Sequence, residues 1–213
     1  MELYYWQMGE ARDLETGRLA ERHAAVTRQT ILRAARELFR ERGYGATTTK
    51  ALAERAGVAV QTIYSAFGSK AGVASALVEL ATQESGILEL ARRMPSVRDP
   101  GEAIELIVGI RRRLRERAGE TIAAMREGAA SEPALRAAWE EGQRQRRGGQ
   151  LMMMRRIEEQ GALAAGLNAA RAADITGALT ADEVADVLIE QSGWSYDEYE
   201  AWLVASLKRL LLR

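Results

Sequence analysis

Residues 47–73 read TTTKALAERAGVAVQTIYSAFGSKAGV. A helix of barely two turns, a glycine, a second short helix and an aromatic corner ending in Gly68-Ser69-Lys70 follow one another. Helices this short are marginal alone, because nucleation is costly and little surface is buried. Thr48 or Thr49 can cap the first, about Thr49 to Ala56, with Leu52, Ala53 and Ala56 turned inward. Gly57 permits the sharp turn into the next, about Val60 to Ala66. A helix-turn-helix accounts for the arrangement: one helix lies across the other, and the other is presented to a groove. Packing falls to Leu52, Ala53, Ala56, Val58 and Ile63. Ala59, Gln61, Thr62 and Ser65 are left outward, with Tyr64 at the edge. Gln pairs bidentately with adenine, small residues meet the thymine methyl, and hydroxyls reach phosphates. The pattern also fits a plain helical corner with a solvated face.

Upstream, Arg28 to Arg42 carries Ile31, Ala34, Ala35, Leu38 and Phe39 at three- and four-residue steps, one apolar face. Thr27 can cap that helix and Gly43 stop it. Residues 1–26 are expected to form an arm, irregular over MELYYWQMGE and helical from about Leu14. Charge is unevenly divided along a chain whose 30 basic and 30 acidic residues cancel. Residues 28–75 hold eight basic and three acidic side chains, a net of +5, and residues 76–213 a net of −3. A compact basic segment beside a mildly acidic remainder suits an encounter with a polyanion.

Downstream, Ser69 can cap a longer helix from Lys70 toward Leu90, and Pro95 and Pro100 mark a break. Helices are expected at about 102–118, 120–129, 133–160, 168–176, 181–191 and 196–212. Thr180 with Glu183, and Ser195 with Glu198, have the spacing of capping boxes, and Gly148-Gly149 can kink or divide the 133–160 helix. The fold class is all-α: three prolines, abundant Ala, Leu, Arg and Glu, and no alternating β-branched runs. The expected domains are the arm (1–26), a helix-turn-helix (27–74) and a larger helical domain (75–213).

The string Gly43-Tyr44-x-Ala46-Thr47-Thr48-Thr49, then Leu52-Ala53-x-x-Ala56-Gly57-Val58, then Thr62-Ile63-Tyr64-x-x-Phe67-Gly68-Ser69-Lys70 resembles the N-terminal DNA-binding domain of tetracycline-repressor-type (TetR/AcrR) transcriptional regulators. The likeness covers about residues 30–80. It implies DNA contacts from Thr49, Ala59, Val60, Gln61, Thr62, Tyr64, Ser65 and Lys70, with Tyr64 and Lys70 on phosphates and Phe67 in the core. Ala59 stands where such proteins often have a hydroxyl residue, and Gln61 where they commonly have glycine. The resemblance also implies a repressor that binds a palindromic double-stranded operator as a homodimer and is released by a small-molecule effector.

The stretch Gly193 to Leu203 is similar to the C-terminal helix of many such regulators, which pair through their last two helices. Val184, Leu188, Tyr199, Trp202, Leu203 and Leu207 are the candidate seam, an apolar set that would otherwise cap the core. Met125, Trp139, Leu151, Met152, Met154 and Ile157 are candidates for the wall of an apolar effector pocket, though a Met/Leu run also suits simple core packing. No cofactor, metal or catalytic group is implied. His23 is the only histidine, there is no cysteine, and no Gly-rich phosphate loop occurs. The absence of a membrane-length apolar run and of an export signal favours the cytoplasm. The alternative function is a helical ligand-binding or scaffold protein that keeps the corner without binding DNA.

Overall fold

The computed structural model describes the backbone from Glu2 to Arg213 and the side chains from Glu21 onward. Ten helices make up the described chain: α1 (Glu2–Arg42), α2 (Thr49–Ala56), α3 (Val60–Phe67), α4 (Lys70–Glu84), α5 (Ile87–Arg93), α6 (Pro100–Ala129), α7 (Pro133–Glu159), α8 (Ala169–Leu179), α9 (Asp182–Ala185) and α10 (Tyr196–Leu211). A π-helical turn, Asp186–Gln191, continues α9. The only strand-like pairing among the described residues is an isolated antiparallel bridge, Leu163 to Leu212. No helix is long and apolar enough to cross a membrane among those residues. The fold is all-α.

Two compact units divide the chain, residues 1–77 and 78–213, with the division inside α4. In the first, α1 is one continuous helix, which replaces both the irregular arm and the start at Arg28. Cap chemistry at Thr27 needs a chain break to act on, and none occurs. Thr30 instead donates its hydroxyl back to the Val26 carbonyl at 2.9 Å, spending its polar group inside the helix. Ile31, Leu32, Ala34, Ala35, Leu38 and Phe39 on α1, Leu52 and Ala53 on α2, Ile63 on α3, and Val73, Ala74 and Leu77 on α4 are buried as a common core.

The turns of this unit follow the glycines. Gly43 (φ 74°) closes α1, its N–H donating to the Phe39 carbonyl at 2.9 Å. After α2, the Val58 N–H donates to the Ala53 carbonyl at 3.0 Å while Gly57 takes φ 66°, the double closure of a left-handed helix end. Thr48 caps α2, accepting from the Ala51 N–H at 3.1 Å. Ser69 caps α4, accepting from the Gly72 N–H at 3.0 Å. Gly72 is demanded by space: an added Cβ would lie 1.9 Å from the Phe67 carbonyl oxygen.

The second unit packs α6 against α7 and α10, α7 against α8, and α5 against α6. Its core joins Ile104, Ile107 and Val108 of α6, Met153, Met154 and Ile157 of α7, Ala172 and Ala173 of α8, and Tyr199, Leu203, Leu207 and Leu211 of α10. Several boundaries differ from the sequence reading. The long fourth helix breaks at Gly86 (φ 72°) into α4 and α5. Gly119 and Gly148-Gly149 interrupt nothing, because a helical glycine costs only about 1 kcal/mol and the packed faces of α6 and α7 are continuous across them. Thr180 caps no helix: it is buried, its hydroxyl donates to the Thr176 carbonyl at 2.7 Å, and α9 starts after Ala181. The Ser195–Glu198 box does form, with the Ser195 N–H donating to Glu198 Oε2 at 2.8 Å.

Candidate nucleic-acid interface

The α3 helix is short, and three contacts hold it. Ile63 is fully buried and roots it in the core. The Arg28 guanidinium, from α1, donates to the Ala66 carbonyl and lies 4.2 Å from the centre of the Phe67 ring. It thus satisfies a carbonyl at the helix C-terminus, where a cation is also favoured by the dipole. Gly68 (φ 75°) then turns the chain into α4. On the outer side, Ala59, Val60, Gln61, Tyr64 and Ser65 are exposed and Thr62 is half-buried. Tyr64 is 47% and Val60 37% exposed, unusual for large side chains on a helix with a buried face. No side chain caps the start of α3, since Ala59 carries no hydroxyl. Thr49 is half-buried at the head of α2.

Lys70 lies elsewhere than a pure phosphate contact would. Its ammonium donates to the Tyr44 carbonyl at 3.1 Å and the Thr47 carbonyl at 3.0 Å, and sits 3.9 Å from the centre of the Tyr44 ring. Two of its three N–H donors therefore hold the turn between α1 and α2, which leaves one for an outside acceptor. Tyr44 is buried, packs 5.4 Å from Phe39 and forms the floor of this clip. Thr47, also buried, donates to the Gly43 carbonyl at 2.8 Å. Phe67 is half-buried under Arg28 rather than enclosed in the core.

The basic surplus is partly spent within the unit. Arg55 is bidentate to Glu41, at 3.0 and 2.9 Å, and reaches Glu37 at 3.1 Å, pinning α2 to α1. The Arg55 hydrogen bond holds the Glu41 carboxyl below the usual range, and Glu41, then Glu37, raise the Arg55 guanidinium. Arg33, Arg36, Arg40 and Arg42 remain exposed along α1. The unit therefore presents one fixed helix of mixed polar and small side chains with cations on neighbouring surface. Arg28, Tyr44 and Thr47 escaped the sequence reading of the site. Their partners lie at a distance in sequence, 38 residues away for Arg28, so no local pattern announces them.

Other expected residues are redistributed by burial. Tyr199, Leu203 and Leu207 are buried in the core of the second unit and cannot form a seam. They recur at four-residue steps on the inner side of α10, whereas Trp202 and Leu210 lie outside that row. Val184, Leu188 and Trp202 are half-buried, and Val187 and Leu210 are exposed. Of the pocket candidates, Met125, Met154 and Ile157 are buried, Trp139 and Leu151 are half-buried, and Met152 is 50% exposed, facing away from the core. No group of three or more His, Cys, Asp or Glu side chains that could hold a metal occurs among the described residues.

Residues 31–77 match the family model described as bacterial regulatory proteins, tetR family. No curated protein matches the sequence. Among solved structures, a Saccharomonospora viridis protein described as a transcriptional regulator, in complex with choline, superposes with a TM-score of 0.72 at 19% identity, covering 89% of this chain and 99% of that one. NalD, the secondary repressor of the MexAB-OprM multidrug efflux pump in Pseudomonas aeruginosa, gives 0.70 at 22% identity, covering 90% and 98%. Over residues 31–77 the chain is therefore similar to the N-terminal domain of bacterial regulatory proteins of the tetR family, and it shares its all-α fold with the solved structures it matches.

Proposed function

We propose that the chain is a ligand-responsive DNA-binding regulator of transcription, a repressor that grips a pseudo-palindromic operator as a homodimer and leaves it when a small molecule binds the second unit. The observation that carries this reading is α3, an eight-residue helix rooted by Ile63, latched by Arg28 and exposing Gln61, Tyr64 and Ser65. So small an element justifies such anchoring if its outer face has to be held for an outside surface. In this reading Gln61 reads a base edge, Val60 and Ala59 meet thymine methyls, and Thr49, Thr62, Tyr64 and Ser65 contact phosphates. Lys70 keeps the turn beside them in place.

The names of the similar structures, a repressor of an efflux pump and a regulator bound to choline, support both halves of the reading. Catalysis has no part in it, and the protein works in the cytoplasm, where the DNA is. The proposed seam is the apolar edge of the last helices, exposed Val187 and Leu210 with half-buried Val184, Leu188 and Trp202 beside them. Trp194 braces Trp202 edge-on at 5.9 Å, giving that surface a stiff aromatic anchor. The effector acts through α4, the helix that carries the chain from one unit into the next, by favouring a conformer whose α3 helices miss the groove spacing.

The test is a titration of the intact chain with duplexes drawn from the DNA flanking its own gene, at several salt concentrations. Saturable binding that weakens steeply with salt, and more steeply than counterion release from one or two contacts allows, supports the reading. A chain that binds no duplex even at low salt contradicts it.

A further inference from the structure

The α10 helix begins with acids and ends with bases: Asp197 and Glu198 lie in its first turn, Lys208 and Arg209 in its last. Charges so placed suit the helix dipole. One at each end is also engaged within the unit. Arg112 of α6 pairs with Asp197 at 2.6 Å, and Glu105 of α6 takes the Lys208 ammonium. The other two are left over. Glu198 closes the box with Ser195 yet meets no cation among the described residues. Arg209 makes no hydrogen bond or ion pair among them. Both residues are exposed.

They also share a face. Glu198, Ala201, Ala205 and Arg209 follow at three- and four-residue steps, all exposed, on the side of α10 turned away from the buried row Tyr199, Leu203, Leu207 and Leu211. Half-buried Trp202 borders this face, its ring braced by Trp194. The face thus runs from a carboxylate, past a large aromatic and two methyl groups, to a guanidinium about 16 Å further along the helix. A surface so arranged is complementary to itself when turned end for end.

We infer that α10 pairs with the same helix of a second copy in an antiparallel register centred between Leu203 and Val204, with Glu198 against the partner's Arg209. The inference rests on the homodimer reading above and names the contacts at the centre of that seam. Two features select the register independently. Charge is the first: antiparallel pairing brings a carboxylate to a guanidinium at both ends, whereas parallel pairing stacks like charges. Volume is the second. Glu198 with the partner's Arg209, and Trp202 with the partner's Ala205, are symmetric about the same point. The register that matches the charges therefore also lays each large ring over a small side chain. Because the two-fold axis repeats every contact, the seam holds two such ion pairs and two such ring contacts.

Sedimentation of the intact chain over a concentration series tests it, using the wild type, Arg209→Glu, Glu198→Lys, the double variant E198K/R209E and a mixture of the two single variants. Each single variant should weaken the dimer about tenfold at low salt, since it turns two surface attractions into repulsions. That difference should shrink in about 1 M salt, where screening acts within about 3 Å. The double variant restores opposite charges at both ends and should return to within about threefold of the wild type. The mixture should form heterodimers tighter than either variant's homodimer, because each mixed pair again joins opposite charges. Arg209→Glu breaks no contact among the described residues, and in Glu198→Lys the Ser195 hydroxyl still accepts the N–H of residue 198, so both should keep the helix content of the wild type by circular dichroism. Wild-type dimers that neither single variant weakens, or a double variant no better than the singles, would overturn the register and leave the dimer standing. A wild type that is monomeric at every concentration would instead remove the homodimer reading, and the register with it.

Discussion

Lys70 and Gln61 stand nine residues apart and do different work. The Lys70 ammonium is tied to the Tyr44 and Thr47 carbonyls, so its first duty is to the turn that sets α2 and α3. Lys70→Met keeps the stem and removes the donors. It should lower the unfolding midpoint and weaken binding to every duplex alike, with little change in the salt slope. A slope reduced by about one, read from affinity against salt, would instead show a phosphate contact. Gln61 has no structural duty, being exposed on α3. Gln61→Ala should leave stability unchanged and shift the preferred sequence, costing about 1–3 kcal/mol at the base it reads if the contact is bidentate. Selection of operators from a randomised duplex pool measures that shift. The sequence singles out both residues as candidates for the site. The clip was not legible there, because carbonyls 26 and 23 residues upstream leave no trace in local spacing.

Helix pairing carries its own signature with pH. The Arg55 hydrogen bond keeps the Glu41 carboxyl below the 4.5 of an unperturbed glutamate. A carboxyl lowered in the folded state stabilises fully above its unfolded value, and that contribution is lost as pH falls through the folded value. Glu41→Gln should therefore be less stable than the wild type near neutral pH, with the difference closing in acid, as denaturant midpoints at about pH 7 and about pH 3 would show. At the C-terminus, burial separates two neighbours on α10. Trp202→Glu, at a half-buried position, should give a folded monomer in sedimentation. Leu203→Glu puts a charge into a fully buried position and should prevent stable folding. A dimer that survives Trp202→Glu would place the seam elsewhere.

Element boundaries were readable at Gly43, Gly57 and Gly68, glycines at positive φ between recognisable caps, but not at Gly86, whose positive φ breaks a helix that the apolar spacing carries through. Glycines that merely lower helix propensity misled, since packing on both sides of Gly119 and Gly148 overrides it. Thr180 misled for a related reason. Its hydroxyl is claimed by Thr176 and Gln150, and only the folded arrangement brings Gln150 there. Apolar spacing on α10 marked a helix but could not say which leucines turn inward, since both faces carry large side chains.

At the scale of the whole molecule, the proposed function depends on two copies of α3 addressing one duplex. One short helix makes too few contacts for tight binding. A symmetric dimer places a second helix about one turn of DNA away, roughly 34–36 Å, and makes the second contact effectively intramolecular. The most direct measurement is hydroxyl-radical footprinting of the intact chain on the DNA flanking its own gene. The expected result is a symmetric protected site with two half-sites about 10 base pairs apart, centre to centre. Both halves should be lost together in Trp202→Glu at concentrations that saturate the wild type. Protection absent at every concentration, or spread uniformly along the duplex without a two-fold pattern, would contradict the account.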